Sequence, residues 1–175
     1  MAAGFTINET KNKDNILLGL GRLGVASLPV SSPVVFTDVG YIKAAGFNYT
    51  REIKDFESAG ILIKRSVIRD RFTLKADLAE FSIANLNRII QGTTGGTDTI
   101  YFGGHRTRTT FYTRFEHLRT DNAIVQMDIY QALPSGSFDL AFKEEDYMLT
   151  TVEFGAEADS SKTSGQQYGR IRILT

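Results

Sequence analysis

Cysteine is absent from the 175 residues, which excludes disulfide frameworks, thiolate zinc sites and cysteine nucleophiles together. Histidine occurs only at His105 and His117, with no helical His-to-His spacing for a zinc site and no recognisable catalytic partner. Proline is limited to three positions. No apolar run approaches the ~20 residues that cross a bilayer as a helix. The stretch Met1 to Lys13 lacks the basic, apolar and small-residue order of a secretory leader, so the expectation is a chain made and kept in a cytoplasm. Charge of one sign is also missing. Twenty Lys and Arg stand against 20 Asp and Glu, so no global basic surplus advertises nucleic acid or an anionic membrane, although a local patch is open.

What is present is ordinary for a folded domain: 42% hydrophobic residues, 23% charged, 16 Gly, and an aromatic content of 12 Phe and 7 Tyr. Such a composition excludes disorder of the whole chain. The length suits one domain, able to bury about 70% of its unfolded surface.

Met1 to Asn15 is polar and reads as an N-terminal arm, residues 1–15. Residues 16–158 read as the folded domain and 159–175 as a C-terminal arm or terminal strand. Ile16 to Leu20 suits a short buried strand, while Pro29 and Pro33 make Leu28 to Val34 a loop. From Phe47 onward the period is two. Phe72, Leu74, Ala76 and Leu78 alternate with Thr73, Lys75 and Asp77. Val125, Met127 and Ile129 alternate with Gln126 and Asp128, and Val152, Phe154 and Ala156 with Thr151, Glu153 and Glu157. Phe111 to Phe115 and Phe138 to Phe142 add two more β-rich segments. Asp121-Asn122 and Ser135-Gly136-Ser137 supply turns between hairpin strands.

One helix stands out, of about three turns. Ser82 is its cap, Phe81 and Leu86 hold the staple positions, Ile83, Leu86 and Ile90 share a face, and Gly92 is its terminator. The predicted fold class is mainly β, an antiparallel β-sandwich or barrel of seven to ten strands with one flanking α-helix and extended arms or loops. No repeat of 20–50 residues points to a solenoid or propeller.

The spelling Gly19-x-Gly21-x-x-Gly24 matches a dinucleotide-binding loop, but such a loop must open a helix that receives the pyrophosphate. Pro29 and Pro33 follow too soon, so glycines serving close backbone approach in a strand are the better reading. There is no Gly-x-Ser-x-Gly elbow and no phosphate loop, and Gly92, Gly95 and Gly96 follow a helix, where they cap and turn. The triplets starting at Asn8 and Asn48 are coincidental without a secretory leader. Lys64, Arg65, Arg69 and Arg71 form one basic stretch, and Arg106, Arg108 and Arg114 a second. With Asp55, Glu57 and Asp70 nearby, charged faces making salt bridges are favoured over nucleic-acid binding. No cofactor or metal is implied.

Glu57 to Asp70 interrupts two strand candidates and mixes Ile61, Leu62, Ile63, Val67 and Ile68 with Lys64 and Arg65. An apolar hairpin projecting beyond its own sheet is an aggregation hazard unless a neighbour covers it. Periodicity alone does not separate that reading from an ordinary core hairpin.

The order of these features resembles the tail tube proteins, or major tail proteins, of tailed bacteriophages. A glycine-led turn (Gly46, Phe47, Asn48, Tyr49) enters a charged strand, Arg51 to Phe56. An excursion follows, then a strand closing on Leu78, Ala79 and Glu80, and a helix containing Asn85 and Leu86. In the second half, Ile129 to Pro134, Phe138 to Phe142 and Val152 to Asp159 look like that family's closing strands. The likeness covers about Ile16 to Asp159.

The resemblance implies a non-catalytic virion subunit, six copies to a ring, with rings stacked into a hollow conduit for genome delivery. It implies assembly in the host cytoplasm and residence in the tail. Partners would be further copies, tape measure, tail terminator and baseplate proteins, and a sheath if the tail contracts. Viral DNA would pass through the lumen without specific binding. It places Ile61, Leu62, Ile63, Lys64, Arg65, Val67 and Ile68 at contacts between subunits or rings. Because lumens in this family tend to be acidic, Asp128, Glu153 and Glu157 on the polar sides of their strands become candidate lumen-facing acids, with Arg114 and Lys75 the cations that could face it as well. Tail terminators, tail-tip or baseplate rings and secretion-system tubes share the pattern. A small-ligand carrier built as a β-barrel lined by Phe and Tyr is the alternative from another class. A hydrolase using carboxylate pairs has no spacing to support it.

Overall fold

The computed structural model describes residues 21–30, 32–40, 42–78, 82–103, 108–134, 139–140 and 150–175. The expected arm at Met1 to Asn15, the expected strand at Ile16 to Leu20, Phe81, His105, Arg106 and the expected turn at Ser135 to Ser137 lie outside them. Among the described residues eleven strands and one helix run in the order β1 (Arg22–Ser27), β2 (Thr37–Asp38), β3 (Ile42–Ser58), β4 (Ile61–Leu78), α1 (Ile83–Ile90), β5 (Thr93–Thr94), β6 (Ile100–Tyr101), β7 (Phe111–Leu118), β8 (Ile124–Pro134), β9 (Asp139–Leu140), β10 (Thr150–Ala156) and β11 (Gly169–Leu174). The fold is mainly β with one helix among the described residues, and every strand pair is antiparallel.

Nine strands form one sheet in the order β2-β1-β7-β8-β10-β4-β3, with β11 paired to β8 and β9 to β10. This sheet folds over on itself. Strands β7 and β3 stand four steps apart, about 19 Å in a flat sheet, yet the Phe47 and Phe115 rings meet edge-on at 5.4 Å between centroids. The sandwich is therefore two halves of one curled sheet. Its core gathers Leu23 and Val25 of β1, Leu74, Ala76 and Leu78 of β4, Val152 and Phe154 of β10, and Ile129 and Ala132 of β8. Val152 faces Ala76 and Phe154 faces Leu74 across the β10–β4 pair, so the predicted alternations meet as cross-strand neighbours on one face.

Ile129 and Ala132 are three apart yet both in the core, because β8 carries an extra residue. Phe111 pairs with Ala132 and Thr113 with Ile129, leaving Tyr112 opposite both Tyr130 and Gln131. Such a bulge bends the strand and increases its twist. Before it, β8 pairs with β11 from Ile124 to Ile129; after it, the same edge pairs with β10 from Ala132 to Pro134.

The helix is shorter than predicted, 8 residues. Ser82 caps it as expected, its Oγ accepting from the Asn85 amide at 3.2 Å. Asn85, Leu86 and Ile89 are its buried side chains, with Ile83 and Ile90 half-buried at the margins. The left-handed terminating residue is Gln91, not Gly92, at φ 54 and ψ 46. Its side chain accepts from the Thr109 amide at 2.7 Å and donates to the Thr109 carbonyl, which secures the non-glycine cap. Gly92 is needed for another reason: a Cβ there would stand 2.4 Å from the Tyr101 carbonyl oxygen.

The described part of the glycine-rich start leads into strand β1, as the prolines required. A Cβ on Gly21 would lie 2.3 Å from the Phe115 ring, and one on Gly24 would lie 3.0 Å from Phe36 Cβ. Both are close approaches within β-structure, with no helix for a pyrophosphate. His117 is buried on β7.

Candidate assembly surface

Strands β3 and β4 are 17 and 18 residues long and form one continuous hairpin. The segment Glu57 to Asp70 is its distal end, not an interruption between strands. Its reversal uses Ala59 and Gly60, both at positive φ (51 and 77), the requirement of a two-residue type I′ turn. Pairing of β4 to β10 stops at Thr73. Beyond it, β3 and β4 have only each other as strand partners among the described residues.

The distal hairpin is apolar and open to solvent. Ile61 and Ile63 are 68% and 69% exposed, and Leu62, Val67 and Ile68 are also exposed. These five, with Lys64 and Arg65, are the predicted contact residues, and the fold brings all seven together on one ribbon end. Ile53 and Phe56 of β3 belong to the same exposed set, although the sequence pattern does not single them out. They sit within a charged strand, where two isolated apolar residues give little signal, and only the register of β3 on β4 reveals them. Ile68 and Ile63 mark the two register shifts of the distal pairing, near Glu52/Ile53 and Phe56/Glu57, so strict alternation fails there.

Cross-strand ion pairs stiffen one face of the ribbon. Arg51 Nε donates to Asp70 Oδ1 at 2.9 Å, and Arg65 grips Asp55 through Nε and Nη2 at 3.0 and 3.1 Å. The Arg51 hydrogen bond holds the Asp70 carboxyl below the usual carboxylate range. The predicted salt bridges for Asp55 and Asp70 therefore form.

The three predicted acids go to three different places. Asp128 is corrected: its side chain is 0% exposed, so it offers no free carboxylate on a polar face. Arg114 reaches it from β7 at 2.7 Å and Arg170 from β11 at 2.9 Å. Burial alone would raise the Asp128 pKa, but hydrogen bonds from Arg114, Arg170 and Tyr112 outweigh it and hold the group below its ordinary value. The Arg114 guanidinium in turn lies 4.4 Å over the Phe36 ring, and Tyr112 stacks on Tyr130 at 5.9 Å. Glu153 is bound to Lys75 at 3.0 Å. Glu157 is exposed just past β10.

This buried network ties down the C-terminal strand. Arg170 and Arg172 of β11 turn onto Asp128 and Gln126, which leaves Ile171 and Ile173 exposed on the other face. A groove of about 870 Å³ separates β11 and its approach from the base of the hairpin, lined by Tyr49, Val67, Ile68, Phe72, Tyr168 and Ile171. Among the described residues no group of three or more His, Cys, Asp or Glu is placed to hold a metal ion.

No protein-family model matches the sequence, and no curated protein matches it. Solved structures do. A chain of the cryo-EM structure of the anti-feeding prophage baseplate, six-fold symmetrised, superimposes with a TM-score of 0.53 at 12% identity over 91% of this chain and 95% of that one. The likeness is one of fold. A chain of the native gene transfer agent virion aligns over 95% of this chain and all 100% of its own, at 14% identity and a TM-score of only 0.40.

Proposed function

We propose that this chain is a structural, non-catalytic subunit of a phage-tail-type particle, and specifically a tube subunit that closes into hexameric rings and stacks into a hollow conduit. The observation that carries the reading is the free ribbon end with Ile53, Phe56, Ile61, Leu62, Ile63, Val67 and Ile68 exposed together. A monomer gains nothing from a long apolar ribbon held in water, whereas a neighbour that covers it gains roughly 25 cal/mol for each Å² removed from solvent. A copy that receives the projecting ribbon on another part of its surface makes a heterologous contact, and heterologous contacts close into rings or extend into filaments. A shared fold with a chain of a six-fold symmetrised prophage baseplate agrees with this.

On this reading Ile61, Leu62, Ile63, Lys64, Arg65, Val67 and Ile68 touch the next subunit or ring. The other components met by the tube are tape measure, terminator and baseplate proteins, with a sheath if the tail contracts, and the particle is the site of residence. The test is a triple replacement of Ile61, Leu62 and Ile63 by Ser, assayed by light scattering and negative-stain microscopy. Loss of rings and tubes with an unchanged circular dichroism spectrum is expected. Tubes that form as in the wild type would overturn the assignment of this ribbon.

A further inference from the structure

The register of the β3–β4 ribbon sorts its charges by face. Arg51, Asp70, Asp55 and Arg65 share one face and neutralise one another in cross-strand pairs. The alternate residues, Lys54, Arg69, Arg71 and Lys64, fall on the opposite face, where Glu52 beside Arg69 is the one acid of the distal ribbon. The side chains of Lys64, Arg69 and Arg71 have no ion-pair or hydrogen-bond partner among the described residues, and Lys54 lies over the Phe56 ring at 5.8 Å. Closer to the body of the sheet the same face is balanced, with Lys75 bound to Glu153. The cationic surplus is therefore confined to the free end.

We propose that this face docks on the phosphate backbone of double-stranded DNA. The partner is argued from shape and charge. From Tyr49 to Ser58 the ribbon runs about 31 Å with both long edges free of other described strands, and a two-stranded ribbon is one of the few elements that a major groove about 12 Å wide admits. Arg69 and Arg71 are two residues apart on one strand, about 6.8 Å, so successive cations meet successive phosphates of a regular polyanion. An acidic strand repeats its carboxylates at the same spacing, so it is the fit of the ribbon to the groove that decides for the duplex. The zero net charge of the chain hides this patch, because acids elsewhere in the sequence balance it. The inference concerns the ribbon of the unassembled chain, before a second copy covers Lys64 and Phe56, and does not require the assembly reading.

The test is fluorescence anisotropy of the full-length protein with a labelled mixed-sequence duplex of about 30 base pairs, between about 50 and 200 mM salt. Protein concentrations are held where light scattering reports monomer. Four cations offset by Glu52 predict a log–log salt slope of about −3, an affinity loss of about 60-fold across that range. Arg69→Gln with Arg71→Gln lowers the slope by about 2 and weakens binding at least tenfold at low salt. Arg51→Gln with Arg65→Gln removes the same number of cations from the paired face and leaves the slope unchanged. If the first pair of changes impairs folding by circular dichroism, Lys54→Gln with Lys64→Gln takes its place. No binding at low salt, equal losses from both faces, or stronger binding of a poly-glutamate peptide than of the duplex each overturns the proposal, the last in favour of an acidic protein partner.

Discussion

Arg170 Nε donates to Asp128 Oδ2 at 2.9 Å, and this bond adds a buried charge pair to the backbone pairing that joins the C-terminal strand to the centre of the sheet. Asp128 is fully buried and also holds Arg114, so the carboxylate is a shared post between β7, β8 and β11. Removing its charge leaves Arg170 without its counter-ion and Arg114 with only the more distant Glu116 at 4.0 Å. Asp128→Asn is expected to cost about 2–4 kcal/mol, less than a fully buried pair because Arg170 is partly solvated. Denaturant melts give the total, and hydrogen exchange should show the amides of Gly169 to Leu174 losing protection first. Retained protection in β11 would show that strand pairing alone holds it.

The same carboxylate sets an acid limit. Its folded-state pKa lies below the ordinary value of 3.8, so its contribution is complete above the unfolded value of about 3.9 and is lost as pH falls through the folded one. Asp70 and Asp159 are shifted the same way. Stability should be flat across neutral pH and fall below about pH 4. A melting series with Asp128→Asn as reference checks this, since the variant should show a shallower acid slope.

Gly169 pairs with Ile129, and a Cβ there would stand 2.1 Å from the Asp128 carbonyl oxygen. Gly169→Ala is therefore expected to push β11 off β8 at its first residue while leaving the core intact. Its signature is faster proteolysis after Tyr168, with a loss of melting temperature smaller than that of a core substitution.

Ala59 occupies a left-handed position at φ 51 in the hairpin turn, where a non-glycine residue costs about 1 kcal/mol. Ala59→Asn creates the Asn-Gly pair that such turns prefer and should stabilise the ribbon by a similar amount, about 0.5–1 kcal/mol. Slower exchange of the Ser58 and Ile61 amides would report it, and no change would mean that the turn is already relaxed.

Much of the sheet is legible in the sequence because local alternation and tertiary pairing agree. The period of two predicts that Leu74, Ala76, Val152 and Phe154 point inward, and all four are buried as cross-strand partners. Asp128 is not legible in this way. Alternation places it opposite Ile129 and suggests water, but water is replaced there by Arg170, which comes from 42 residues away and whose pairing no local pattern encodes. Gln91 gives no local signal as a terminator, because its left-handed backbone is held by Thr109, a loop residue remote in sequence. The ribbon is half legible. Its apolar residues are evident, but the extra residues at Ile63 and Ile68 conceal that the charges fall on two faces of one hairpin.

The central claim is that the free ribbon end is covered by another copy. Negative-stain microscopy of the purified protein over a concentration series, with light scattering for mass, tests it most directly. The account predicts rings or tubes that grow with concentration and are lost when Ile61, Leu62 and Ile63 become Ser. A particle that stays at 19.4 kDa at every concentration, with the ribbon protease-resistant, would contradict it.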